Sequence, residues 1–109
     1  MHELSIMINI VSIVQEHSQD QRVVRVKLEI GKLAAVVPDS LRFCFDVCTK
    51  GTNLEGAVLE IDEIEPLGEC NLCMRRFPLD LLAVRCPCGS RSVKCVAGEE
   101  LKVKEMEVE

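Results

Sequence analysis

Tryptophan and tyrosine are absent from the 109 residues, and three phenylalanines are the only aromatic side chains. That excludes the aromatic platforms on which single-stranded nucleic acids stack. Basic residues are in deficit, 13 Lys and Arg against 18 Asp and Glu, for a net charge of −5. Such a chain suits cations and other proteins better than phosphate backbones, and nucleic acid is not expected as a partner. Histidine occurs only as His2 and His17, too few and too far apart for a Ser–His–Asp set. No phosphate-binding P-loop is present either. The expectation is therefore a binding protein, not an enzyme. Long apolar runs are also missing: the stretch from Leu4 to Val14 is broken by Ser5, Asn9 and Ser12. It is too short to span a bilayer, and no basic segment precedes it, so neither a membrane association nor a secretion signal is expected. There is no internal repeat and no low-complexity tract.

The chain is by contrast well supplied with apolar residues, at 48%, and with cysteine, at seven. An odd number of cysteines without an export signal reads as reduced thiols or metal ligands in a cytoplasmic protein, not as a disulfide framework.

The periodicity predicts an α+β fold: a small sheet of about three strands with two helices, plus an inserted zinc-ribbon-like module. Leu4, Met7, Val11 and Val14 recur at helical spacing, with Ile6, Ile10 and Ile13 widening the stripe, and the helix ends between His17 and Gln21. Val24, Val26, Leu28 and Ile30 then alternate with Arg25, Lys27 and Glu29, which predicts a half-buried strand closed by Gly31. A second helix starts at Pro38-Asp39-Ser40, where proline suits a first turn and Asp39 or Ser40 can cap free amides. It runs through Leu41, Phe45 and Cys48 to Lys50-Gly51; Cys44 and Cys48 fit its buried face as small apolar residues. Leu59-Glu60-Ile61-Asp62 predicts another strand. The last segment alternates at Leu101 and Val103 but slips phase at Glu105, so a bulge is expected there. The tail is expected to return to the first sheet, giving one lobe from residues 1–66 and 98–109 and a second from 67–97.

That second lobe holds the strongest chemical signal. Cys70 and Cys73 form a CxxC pair, and a dozen residues further on Cys86 and Cys88 form a CxC pair. Two close cysteine pairs at this distance present four soft donors to one tetrahedral zinc. A module of about 28 residues buries too little to fold alone, and zinc supplies roughly 10–16 kcal/mol of apparent free energy. The CxC pair is one residue shorter than usual, which leaves Cys95 as an alternative donor. A redox role for the CxxC pair, or a ribbon that contacts nucleic acid or the transcription machinery, are the competing readings.

The amino terminus offers a second set of donors. With Met1 retained and its amine free, that amine, the His2 amide nitrogen and the His2 imidazole close adjacent small rings around one ion. A deprotonated amide nitrogen favours square-planar Ni(II) or Cu(II). Glu3 can add its carboxylate or backbone nitrogen; it serves equally well to complement a helix dipole. His17, near a helix end, reads as a solvated residue.

Met1-His2-Glu3-Leu4-Ser5 opening an apolar helix resembles the HypA/HybF family of hydrogenase nickel-incorporation proteins. The similarity continues through Glu29-Ile30-Gly31, Pro38 to Phe43, Thr49 to Thr52, Leu59-Glu60-Ile61, the cysteine pairs and Gly98 to Leu101. The resemblance implies a nickel metallochaperone with nickel on Met1, His2 and Glu3 in the first lobe. It implies a structural zinc on Cys70, Cys73, Cys86 and Cys88 in the second. It places Asp39 where some relatives carry an acidic residue near the nickel. It also implies, as partners, a maturation GTPase of the HypB type, the large subunit of [NiFe]-hydrogenase and, for some members, urease accessory proteins.

Overall fold

The computed structural model describes residues 3–80 and 82–109. Its extents are 54 × 24 × 17 Å, with a radius of gyration of 17.2 Å, against about 13 Å for a compact chain of this length. The length arises because the strands form two separate three-stranded sheets.

The larger lobe contains α1 (Glu3–Ser18), β1 (Val23–Gly31), α2 (Pro38–Cys48), β2 (Val58–Ile64) and the last strand, β6 (Leu101–Val108). β1 is central, parallel to β2 and antiparallel to β6. The tail thus returns to the first sheet, as the sequence predicts. One face of the sheet carries Val26, Leu28 and Ile30 onto Met7, Ile10, Val11 and Val14 of α1 and Leu41 and Phe45 of α2. The other face has no helix and is laced by charge. Arg25 bonds Glu60, Glu105 and Glu107 on both neighbouring strands, and Glu29 meets Lys102 and Lys104. Alternation along β1 thus sorts apolar and ionic residues onto opposite faces.

Three details differ from the periodicity. Leu4 and Ile13 are half exposed, and the buried stripe of α1 is narrower, running through Met7, Ile10, Val11, Val14 and Ser18. In β1, Val23 is fully buried instead of Val24, because the register shifts between Val23 and Arg25. An irregularity of this kind turns one side chain to the opposite face. The predicted slip in β6 is present: Lys27 pairs with Glu105 but Leu28 with Val103, so Lys104 is extra. That bulge lets Val103 and Met106, three apart, both reach the core.

The end of α1 is tied down by Asn53. Its side-chain amide donates to the Ser18 hydroxyl at 2.8 Å and to the Gln21 carbonyl at 2.7 Å, while its own carbonyl accepts from the Val23 amide at 2.9 Å. Asn53→Ala leaves the part-buried Ser18 hydroxyl without this donor, while water can replace it at the exposed Gln21 carbonyl, and the expected cost is about 1 kcal/mol, read as a lowered midpoint in urea unfolding.

The smaller lobe is an antiparallel sheet in which β3 (Leu67–Cys70) lies between β4 (Arg76–Pro78) and β5 (Val93–Ala97). Its buried core is only Cys70, Phe77 and Cys86, with Leu79 and Val93 packed against them. The chain enters this lobe through Glu65-Pro66 and leaves through Gly98 to Glu100, and the two crossings touch. The Leu33 amide donates to the Gly98 carbonyl and the Gly31 amide to the Glu100 carbonyl, both at 2.7 Å. Lys32 pairs with Glu65 across the same joint. A β-carbon on Gly31 would lie 2.0 Å from the Gly98 carbonyl oxygen. Gly98 itself has φ +111°, and a β-carbon there would lie 2.7 Å from Pro66 Cα. No helix among the described residues is long and apolar enough to cross a membrane.

Candidate metal centres

The two cysteine pairs meet at one end of the small lobe. Cys70 closes β3, and the chain turns through Asn71 and Leu72 to Cys73. Met74 follows with φ +64°, and its amide bonds back to the Cys70 carbonyl at 3.1 Å. Cys86 to Gly89 make a tighter turn: Gly89 has φ +97°, its amide donates to the Cys86 carbonyl at 2.8 Å, and the Cys86 amide donates to the Ser90 carbonyl at 2.9 Å. Glycine suits that left-handed position because it has no β-carbon.

Both turns aim amides at sulfur. Leu72 and Cys73 donate to Cys70 Sγ at 3.3 and 3.4 Å, and Cys88 donates to Cys86 Sγ at 3.4 Å. The four sulfurs lie within 4.8 Å of one another, with Cys70 and Cys88 3.7 Å apart and Cys73 and Cys86 3.5 Å apart. A tetrahedral ion with bonds of about 2.3 Å requires edges of about 3.8 Å. The donor set therefore fits a thiophilic tetrahedral cation, and the shortened CxC pair reaches it. Cys95 does not join the group; its thiol is exposed and donates to the Ala97 carbonyl at 3.1 Å.

Electrostatics divide the four thiols. The Cys73 amide, and then that of Leu72, hold Cys70 down to about 6. Burial pushes Cys86 up to about 12. Burial opposes ionisation of Cys86, so a cation that binds there must displace its proton. Beside the cluster, Glu69 is held below the usual carboxylate range by Arg76 first and by Lys94. These ion pairs, at 2.8 and 3.3 Å, fasten β3 to both neighbouring strands.

Of the amino-terminal set, Met1 and His2 lie outside the described residues. Glu3 opens α1, and its Oε2 accepts a hydrogen bond from the Val37 amide at 3.2 Å. Hydrogen bonds from its own amide and then from Val37 hold its carboxyl below the usual range. This corrects the expected capping of α2. The helix is capped at Val37 with no side-chain bond, and Asp39 lies exposed in the first turn. The carboxylate that reaches the start of α2 comes from the start of α1. His17 is exposed, its Nδ1 donating to the Ile13 carbonyl at 2.9 Å. Cys44 and Cys48 pack against the core, and burial raises the Cys48 thiol.

Fold and site together define a small α+β protein with a four-cysteine cluster, on an inserted sheet, that can hold a metal ion. The family model for "Hydrogenase/urease nickel incorporation, metallochaperone, hypA" matches residues 1–108. The chain belongs to this HypA family. It is 55% identical to the hydrogenase maturation factor HypA of Nostoc punctiforme over 109 residues, covering 100% of this chain and 96% of the relative. It is 49% identical over 110 residues to the factor of the same name from Geobacter sulfurreducens, covering 100% of both. Its fold matches the solution structure of the Ni metallochaperone HypA from Helicobacter pylori with a TM-score of 0.71 at 24% identity, covering 99% of this chain and 97% of the other. A second solution structure of a HypA protein matches with a TM-score of 0.77 at 24% identity, covering 99% and 96%.

Proposed function

We propose that this chain binds Ni(II) through Met1, His2 and Glu3 and delivers it, as cargo, during maturation of [NiFe]-hydrogenase, without catalysing a reaction itself. In this reading residues 1–66 and 98–109 are the nickel lobe, and residues 67–97 are the zinc lobe, held by Cys70, Cys73, Cys86 and Cys88. The cargo passes to the hydrogenase large subunit, with a GTPase of the HypB type as helper. Urease accessory proteins are a second destination. The setting is the cytoplasm, where seven unpaired thiols stay reduced.

The observation that carries the reading is the match to a nickel-incorporation family over residues 1–108. The chemistry supports it. Glu3 accepts a hydrogen bond from the start of α2, which holds this one candidate donor against the larger lobe. The Met1 amine, the His2 amide nitrogen and the His2 imidazole supply nitrogen donors suited to square-planar Ni(II). All must shed protons, so affinity falls as pH drops and cargo is released by acidification or by a stronger set of donors. In this reading Asp39, in the first turn of the helix that Glu3 contacts, is the further acidic side chain that assists.

Nickel titration of three proteins tests this. His2→Ala and a variant with one serine added before Met1 are each expected to bind Ni(II) at least about tenfold more weakly than the parent. Their zinc content should be unchanged. If both bind nickel as the parent does, the amino-terminal site is wrong.

A further inference from the structure

Charge is divided unequally along the chain. Residues 67–97 contain Arg75, Arg76, Arg85, Arg91 and Lys94 against Glu69 and Asp80, a balance of +3; the remaining residues carry 8 basic and 16 acidic side chains, a balance of −8. Arg76 and Lys94 are committed to Glu69. Arg75, Arg85 and Arg91 are exposed and form no ion pair among the described residues. The same lobe carries strongly exposed apolar side chains: Leu82 at 98%, Leu72 at 75% and Met74 at 63%. Leu82, Ala83, Val84, Arg85 and Arg91 line an open hollow of about 500 Å³. Single exposed leucines are ordinary, but a group of them rimmed by unpaired guanidinium groups marks a contact surface.

The chemistry selects the occupant. Four cysteines holding a divalent ion would add −2 to this lobe, so the attraction is local to the arginines and not a property of the whole lobe. No aromatic residue lines the hollow, which leaves bases nothing to stack on. A duplex or an anionic bilayer extends well beyond the hollow and meets the −8 carried elsewhere, which a short acidic segment confined to the hollow does not. Arginine pairs carboxylates through two parallel hydrogen bonds, and the exposed Leu82 and Val84 beside them offer apolar surface to aliphatic side chains. We propose that the hollow between Leu82, Val84, Arg85 and Arg91 docks an exposed segment of a partner protein in which acidic and aliphatic residues alternate. The site is independent of the nickel reading, since none of its residues belongs to the amino-terminal chelate.

The test uses the full zinc-loaded chain and a fluorescein-labelled peptide of alternating Glu and Leu, with a Ser-Leu peptide of equal length as control. The parent protein is expected to prefer the acidic peptide by about tenfold or more at low salt and to lose that preference in 1 M salt. Arg85→Glu with Arg91→Glu should abolish the preference, Leu82→Ser should weaken binding of both peptides, and Lys50→Glu on the larger lobe should change nothing. Equal binding of the two peptides by the parent, or an unchanged preference in the double variant, overturns the proposal. So does tighter binding of duplex DNA or of phosphatidylserine vesicles, or concentration-dependent self-association that the double variant abolishes. Zinc loss from the double variant would make the arginines counter-charges of the thiolates and overturn it as well. Retained zinc with lost peptide binding supports it.

Discussion

A Cys86→Ser variant is expected to lose the zinc proposed for the four-cysteine cluster and, with it, the fold of residues 67–97, while the larger lobe stays folded. Three buried side chains make up the core of the small lobe, and two of them, Cys70 and Cys86, belong to the four-sulfur cluster. Apolar burial by Phe77, Leu79 and Val93 cannot offset the conformational entropy of ordering three short strands. A structural zinc supplies roughly 10–16 kcal/mol, and loss of one of four donors forfeits much of it. The larger lobe keeps its own twelve-residue buried core and has no reason to melt with it. Amide NMR spectra of the parent and variant read both lobes at once. Signals from residues 67–97 should collapse to the dispersion of an unfolded chain, while those of α1, β1 and α2 keep their positions. A variant that retains stoichiometric zinc and a dispersed small lobe would show that the cluster is not what holds this sheet. Acid acts in the same direction. Lowering pH reprotonates the thiolates, so an ion held by the four cysteines is lost as pH falls.

Gly31→Ala should have the second largest effect. Its β-carbon would meet backbone at 2.0 and 2.1 Å, the Gly98 carbonyl oxygen and carbon. Backbone cannot swing aside as a side chain can, so the joint must open, breaking the bonds from Gly31 to Glu100 and from Leu33 to Gly98. The expected cost is about 3 kcal/mol or more, a fall in midpoint of at least roughly 10 °C. Gly51→Ala is the contrasting control. Its φ of +77° is strained for alanine, but nothing lies within 4 Å, so about 1 kcal/mol is expected. Similar melting of the two variants would mean that the joint tolerates separation.

Periodicity reveals elements that bury one face and fails where a distant neighbour decides. Alternation through β1, the helical spacing of Met7, Val11 and Val14, the phase slip in β6 and the paired cysteines are all local signals. Leu4 and Ile13 fit the same helical spacing yet stay half exposed, because the sheet and α2 cover only part of the circumference of α1. Asp39 has the chemistry of a cap, but Val37 takes the capping position and Glu3 approaches from another helix. The pairing of β3 with β4 and β5 was hidden because those strands are three to five residues long, too short to alternate visibly. The four-cysteine cluster was legible because the chemistry of thiolates restricts their spacing. The arginine-rimmed hollow was not, since exposure and unpaired charge are properties of the folded surface. The amino-terminal donors are proposed from sequence and resemblance alone, Met1 and His2 lying outside the described residues.

The contact between Pro66 and Gly98 also bears on how the chain finds its shape. β6 must return to β1 across everything from residue 65 to residue 100, and closing so long a segment carries an entropic cost. Once the cysteine module is folded, its two ends are already side by side, and the free segment shrinks to residues 65, 66 and 98–100. Each halving of a flexible loop recovers about 0.6 kcal/mol, so the gain amounts to roughly 2 kcal/mol. An ion held by the four cysteines would therefore favour a strand pairing that it never touches.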